Sequence, residues 1–175
     1  MRFVQERFGD AGLQRVLDTL PAESRQLIRG RKILPHEWIG YDVFIDFNVA
    51  TDKLFGKGDL QLCVEMGRFS ARVNLPTLYR LFYRFGSPVY IFRKAAQVWS
   101  VHYDSGRIRV TDEGQGRVKL HIEQFDKPHR AHCLSVLGWA AGSIELSGGT
   151  LTLADETACR TRGADACELT LHYRD

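Results

Sequence analysis

The chain is predicted to fold as an α+β domain, an N-terminal helical layer packed on an antiparallel sheet, with a C-terminal helix and β-hairpin. Two observations carry this. Apolar residues recur at helical spacing through the first half, as in Leu13, Val16, Leu17 and Leu20. Beyond about residue 87 the period changes to short alternating runs, separated by Ser105-Gly106 and by the turn Glu113-Gly-Gln-Gly116. Helices first and strands last argue for α+β and against alternating βα units. At 175 residues, 44% of them hydrophobic, the chain suffices for one substantial core. The expected organisation is one domain over residues 1–175, mostly helical over 1–86 and mostly sheet over 87–175.

Taken in order, residues 10–20 form the first helix, and Pro21 with Ala22-Glu23 opens a second reaching about Ile28. Residues 33–41, with Pro35 and Trp38, turn into a third helix over 41–55 that carries Phe44, Ile45, Phe47, Val49 and Leu54. After Gly56-Lys-Gly58, Asp59 caps a run to about Phe69, and 75–85 form another helix with Leu78, Tyr79, Leu81, Phe82 and Phe85 on its apolar positions. Strands are expected over 89–92, 98–103, 107–112 and 117–124. Residues 132–146 read as a helix whose buried face holds Cys133, Val136, Leu137, Ala140, Ala141 and Ile144, ending at Ser147-Gly148-Gly149. Residues 150–154 and 168–173 alternate as half-buried strands should, with Gly163 in the polar connection between them.

Three cysteines and a glutamate stand in the last quarter as Cys133-x22-Glu156-x2-Cys159-x7-Cys167. Three thiolates and a carboxylate make a closed four-ligand set for a structural zinc, because a d10 ion accepts tetrahedral S/O ligation without a geometric preference of its own. Cys133 falls in the first turn of its helix, Glu156 and Cys159 just past one strand, and Cys167 at the start of the next. A hairpin mouth facing a helix start brings all four within reach of one ion. The alternative reading makes Cys133 a small buried hydrophobe, and Cys159 with Cys167 a disulfide or two free thiols.

A net charge of +3 and dispersed Lys/Arg give no nucleic-acid signature; the short runs Arg29-Gly-Arg-Lys32 and Arg160-Thr-Arg162 read as solvated faces. Four cysteines, with no signal-peptide pattern and no apolar run of membrane-spanning length, point to a reducing cytoplasm, where such a cluster favours metal over disulfide. Enzyme signatures are missing: there is no Gly-rich phosphate loop, no Gly-x-Ser-x-Gly elbow and no His pair flanking a Glu.

The segment from Pro128 to Tyr173, with its helix-opening cysteine, Gly138-Trp139-x2-Gly142, Glu156-x2-Cys159 and Cys167, resembles the 4-vinyl reductase-like domain of bacteria, in the zinc-binding version found in phenol-sensing regulators. Upstream, the order of helices, Trp38, Leu78-Tyr79-Arg80 and Trp99 are similar to the same superfamily. That superfamily shares its fold with haem nitric-oxide sensors and with a small subunit of vesicle-tethering complexes. The resemblance implies zinc ligands at Cys133, Glu156, Cys159 and Cys167. It also implies an apolar cavity next to the zinc for a small hydrophobic or aromatic ligand. Trp38, Tyr41, Phe44, Tyr79, Phe82, Trp99, Tyr103 and Trp139 are available to line one, with Tyr41, Phe44, Tyr79, Phe82, Trp99 and Trp139 as the core set; a filled core is the alternative. His102 and His121 lie on expected strands, either as polar anchors for a phenol-like ligand or as surface histidines.

Tyr103-x-Ser105-x-Arg107 also matches the triplet with which haem nitric-oxide domains hold haem propionates, but it stands one hairpin too early in the chain, and a strand end followed by a Ser-Gly turn accounts for it. Two function classes follow. One is a zinc-stabilised domain that senses a small molecule and signals, through a second copy or another protein, without converting its ligand. The other is an interaction scaffold of the same fold with a filled core.

Overall fold

The computed structural model describes residues 1–29, 38–85 and 87–174, with the backbone alone over 75–85. It divides into two compact units, Met1–Cys63 and Val64–Asp175. The first contains α1 (Arg2–Thr19), α2 (Ala22–Ile28) and α3 (Tyr41–Phe55). α1 starts eight residues before the predicted helix and kinks at Gly9, whose φ of 71° belongs to the left-handed region that glycine enters freely. Leu13, Val16 and Leu17 of α1 and Val43, Ile45, Phe47 and Ala50 of α3 are buried, and Phe8 stacks on Phe55 at 4.1 Å. The fully buried carboxylate of Asp52 accepts the Leu60 N–H at 2.9 Å on one oxygen and the Leu62 N–H at 3.1 Å on the other. It therefore caps the following helix, α4 (Leu62–Phe85), whereas Asp59, expected in that role, accepts from Gln61 N–H.

The second unit holds the rest of α4, then α5 (Pro88–Gln97), α6 (Trp99–His102), β1 (Arg107–Gly114), β2 (Arg117–Glu123), α7 (Arg130–Leu146), β3 (Thr150–Ala158) and β4 (Cys167–Arg174). The four strands form one antiparallel sheet in the order β1-β2-β4-β3. Val118, Leu120 and Ile122 of β2 pair with Leu171, Leu169 and Cys167 of β4, all buried on one face. α7 packs on β3 and β4, and α5 on β1. α7 also meets α4 closely through glycines: a Cβ at Gly138 would stand 1.9 Å from the Val64 carbonyl oxygen, and one at Gly67 would stand 2.0 Å from that of Ser135. No larger residue fits there, so these glycines set the height of the helix that carries Cys133.

Four predicted elements need correction. The helices expected over 59–69 and 75–85 are one helix, α4, because residues 70–74 carry no stop signal and Asn74 bonds back to Ser70 one turn earlier at 3.0 Å. The strand expected over 89–92 is α5: Ser87 Oγ accepts the Tyr90 N–H at 3.3 Å as N-cap, and Pro88 takes the first helical position. The strand expected over 98–103 is the single turn α6, pinned by the Trp99 indole, which donates to the Ser105 carbonyl at 3.0 Å.

β3 runs four residues beyond the predicted 150–154 and carries two irregularities that decide what faces inward. Leu151 stands opposite Tyr173 but Leu153 opposite His172, so Thr152 is an extra residue. An inserted residue reverses the phase of a strand. Past it, Ala154 and Glu156 lie opposite the inward Leu171 and Leu169, and Leu153 is turned out, 41% exposed. A second shift at Thr157 sets Ala158 against Glu168, and continuing that register puts Cys159 across from Cys167.

Candidate metal centre

Cys133 is delivered by the first turn of α7, Cys159 by the residue after β3, and Cys167 by the first residue of β4. All three are buried, none is in a disulfide, and their sulfur atoms lie within 4.8 Å of one another. Thiolates at about 2.3 Å from a tetrahedral ion stand roughly 3.8 Å apart, so this spread is that of a nearly assembled ligand set. The disulfide alternative for Cys159 and Cys167 is thereby set aside for this state.

The surroundings treat the sulfurs unequally. Cys167 accepts from the Cys133 thiol and from the Arg160 backbone N–H, the latter at 3.4 Å, and its thiol is drawn down to about 6 against the opposing effect of burial. Cys133, as that donor and as a buried group among other anions, is pushed far up. Burial also raises Cys159, partly offset by the Thr161 hydroxyl at 3.0 Å. Three thiols crowded in this way cannot all ionise alone, and a dication is what lets them.

Glu156, predicted to lie just past a strand, lies inside β3, and its carboxylate falls outside the group formed by the three sulfurs. Its side chain is 2% exposed, and one oxygen, Oε2, takes the Arg130 guanidinium at 2.8 Å and the Arg162 guanidinium at 3.1 Å. The other, Oε1, is buried with no hydrogen-bond partner. Its charge is felt by Cys133, Cys159 and Cys167 alike. Three clustered buried thiols, with a buried carboxylate oxygen that has no hydrogen-bond partner on the strand leading to Cys159, are S/O donors of the kind zinc takes, so the residues present fit the metal.

Arg162, read in the sequence as part of a solvated run, is thus committed to Glu156. Arg160 of the same run donates to the Phe125 carbonyl at 2.5 Å. No spacing rule marks these arginines; only the fold brings their nitrogens to buried acceptors, Arg162 doing so with its side chain 51% exposed.

Beside the thiols lies an aromatic cluster. His132 stacks on Phe125 with centroids 4.8 Å apart and meets Tyr103 and Trp99 edge-on at 5.0 and 6.1 Å, while Trp99 stacks on Tyr103 at 4.2 Å. Burial pushes the Tyr103 hydroxyl up to about 12 and the His132 ring down to about 4. Of the residues expected to line a cavity, Trp99 is therefore enclosed by other rings. Tyr41 and Phe44 are half-buried neighbours on α3 at 6.4 Å, Trp139 is half-buried on α7, and Trp38 is 58% exposed. The side chains of Tyr79 and Phe82 lie outside the described residues. A shallow concavity on α2, lined by Glu23, Gln26, Leu27 and Arg29, shares no residue with this set.

The histidines proposed as anchors separate. His102 is exposed at the end of α6, and His121 sits on the outer face of the sheet between Thr111 Oγ1 at 3.3 Å and Glu168 at 3.6 Å. In the triplet 103–107, Tyr103 is in the aromatic cluster, the Ser105 hydroxyl accepts the Asp126 N–H at 3.3 Å, and Arg107 pairs with Glu123 at 2.9 Å.

No protein-family model matches the chain, and no curated protein matches it. Solved structures do. An H-NOX protein from S. oneidensis in the Fe(II)NO ligation state superposes with a TM-score of 0.75 at 12% identity, over 99% of this chain and 94% of that one. An unliganded Fe(II) H-NOX protein from K. algicida gives 0.73 at 9% identity, over 99% and 92%. An oxygen-binding H-NOX domain related to soluble guanylate cyclases, in its oxygen complex, gives 0.65 at 12% identity, over 99% and 90%. At such identities the agreement establishes one thing, that this chain has the H-NOX-like fold.

Proposed function

We propose that this protein is a zinc-stabilised sensor domain that binds a small hydrophobic or aromatic molecule without converting it and passes the change to a partner protein or a second copy of itself, in the cytoplasm. The observation that carries the metal is the convergence of three buried thiols; the buried Oε1 of Glu156, which has no hydrogen-bond partner, is the proposed fourth ligand. Cys133, Cys159, Cys167 and Glu156 would hold the ion, which supplies stability; with four protein ligands no position is left for substrate. Sensing is supported by the likeness to H-NOX structures solved with and without small ligands on iron.

The Tyr103, Ser105, Arg107 triplet lends haem no support, since each member is engaged elsewhere. The enclosure of Trp99 by Tyr103, Phe125 and His132 favours a second reading, a scaffold acting through its surface.

Native mass spectrometry of the freshly purified reduced protein should show one zinc per chain. A thermal-shift series over phenols, fatty acids and tetrapyrroles should find a class that raises the melting temperature, since ligand at a hundred times its Kd adds about 2.7 kcal/mol. If no compound moves the transition while zinc is bound, the scaffold reading takes over. If zinc is absent, the metal reading falls.

A further inference from the structure

Each of the two arginines on Glu156 is built into an element that also carries a thiolate. Arg130 opens α7 three residues before Cys133, and Arg162 closes the turn that starts at Cys159. Both place a nitrogen on the same oxygen, Oε2, at 2.8 and 3.1 Å, and Arg162 also reaches the Glu156 backbone carbonyl at 3.4 Å. Two guanidiniums on one oxygen leave the other buried and without a donor. A buried anionic oxygen without hydrogen or cation is costly, and its natural complement beside three sulfurs is a metal.

We propose that Arg130 and Arg162 are positioning residues of the metal centre: by occupying Oε2 they hold Glu156 as a one-oxygen ligand and balance the charge that the ligand set carries in excess. This rests on the zinc reading above. A dication with three thiolates and a carboxylate is left with two negative charges, and the two arginines supply two positive ones. Such outer contacts fix ligand orientation, and their loss typically costs metal affinity 10- to 100-fold. The clamp also ties α7 to β3 and to the 160–162 turn independently of the ion, so the site is half-built before metal arrives.

The test uses the full reduced chain with zinc affinity measured against a chromophoric chelator, and cobalt(II) as an optical probe. R130Q/R162Q should lower zinc affinity 10- to 100-fold and alter the cobalt ligand-field bands, with thiolate-to-metal charge transfer retained because all three sulfurs remain. E156Q should produce the same changes, and adding R130Q/R162Q to E156Q should do little more, since the residues act through one carboxylate. R130K/R162K keeps the charge without the fork and should fall between, which preserves the test should the glutamine variant fold poorly. E123Q, on the outer face of the sheet, should change neither reading. Unchanged affinity and cobalt spectrum in R130Q/R162Q, or losses that simply add to those of E156Q, would overturn the inference while leaving zinc in place. A parent protein that takes up neither metal overturns the zinc reading and this inference together.

Discussion

Two carboxylates in the sheet unit are each gripped by two arginines, and the difference between them locates the site. Glu123 on β2 receives Arg107 on Oε2 at 2.9 Å and Arg109 on Oε1 at 2.8 Å, one arginine per oxygen. Its side chain is 18% exposed and those of the arginines more than half, and the pairing holds its carboxyl below the usual range. Glu156 on β3 also has two arginines, Arg130 and Arg162, but both are on one oxygen, at 2% exposure, with the other oxygen bare. The first arrangement is complete and faces water. The second is buried with one oxygen unmatched, and on the zinc reading that oxygen is the one that would meet the ion.

The largest expected effect removes the missing partner. On the zinc reading, Cys159→Ser or Cys167→Ser should abolish stoichiometric zinc and cost at least about 4 kcal/mol in chemical denaturation, because the binding energy of a structural metal is folding energy. Cys63→Ser, equally buried but outside the cluster, should retain zinc; equal losses for all three would break the comparison. Next comes acid. The buried ring of His132 holds its pKa at about 4 against an ordinary 6.5, so between those values the unfolded chain binds a proton that the folded one does not. Stability should therefore fall by roughly 3 kcal/mol as pH drops from about 6.5 to 4 and be level above, with NMR titration of the ring as the check; a ring titrating near 6.5 in the folded protein would refute it.

Asp52 sharpens the contrast from the other unit. It is buried like Glu156 but completed by two backbone amides, so Asp52→Ala should cost about 2 kcal/mol whether or not a chelator is present. The smallest effect belongs to the outer pair: Glu123→Gln should cost under about 1 kcal/mol, less at high salt, in urea titrations. A loss from Glu123→Gln as large as that from Cys167→Ser would mean that burial and incompleteness do not set the two carboxylates apart.

Much of the architecture was legible locally. α2, α3 and the hairpin between β1 and β2 fall within a residue or two of their predicted limits, since Pro21, the 41–55 periodicity and Gly114 and Gly116, both at positive φ, act through their own backbones. The failures are equally local in origin. Val89 to Phe92 is an apolar run too short for its period to decide, and what makes it a helix is the Ser87-Pro88 start just before it. The arginines on Glu156 had no signal at all, because an arginine in a polar turn looks the same whether its head faces water or a carboxylate.

The sequence by itself determined which atoms are available for the site: three sulfurs and a carboxylate at the ends of recognisable elements, with a glycine-lined helix to carry the first. Tertiary structure decided where they point. Read alone, β3 alternates with Leu151 and Leu153 inward, which would turn Asp155 in and Glu156 out. The extra residue at Thr152 reverses that phase, and the one at Thr157 realigns Cys159 with Cys167. A strand has a side-chain period of two, so a single inserted residue exchanges its faces, and whether one is inserted depends on the partner strand against which it pairs.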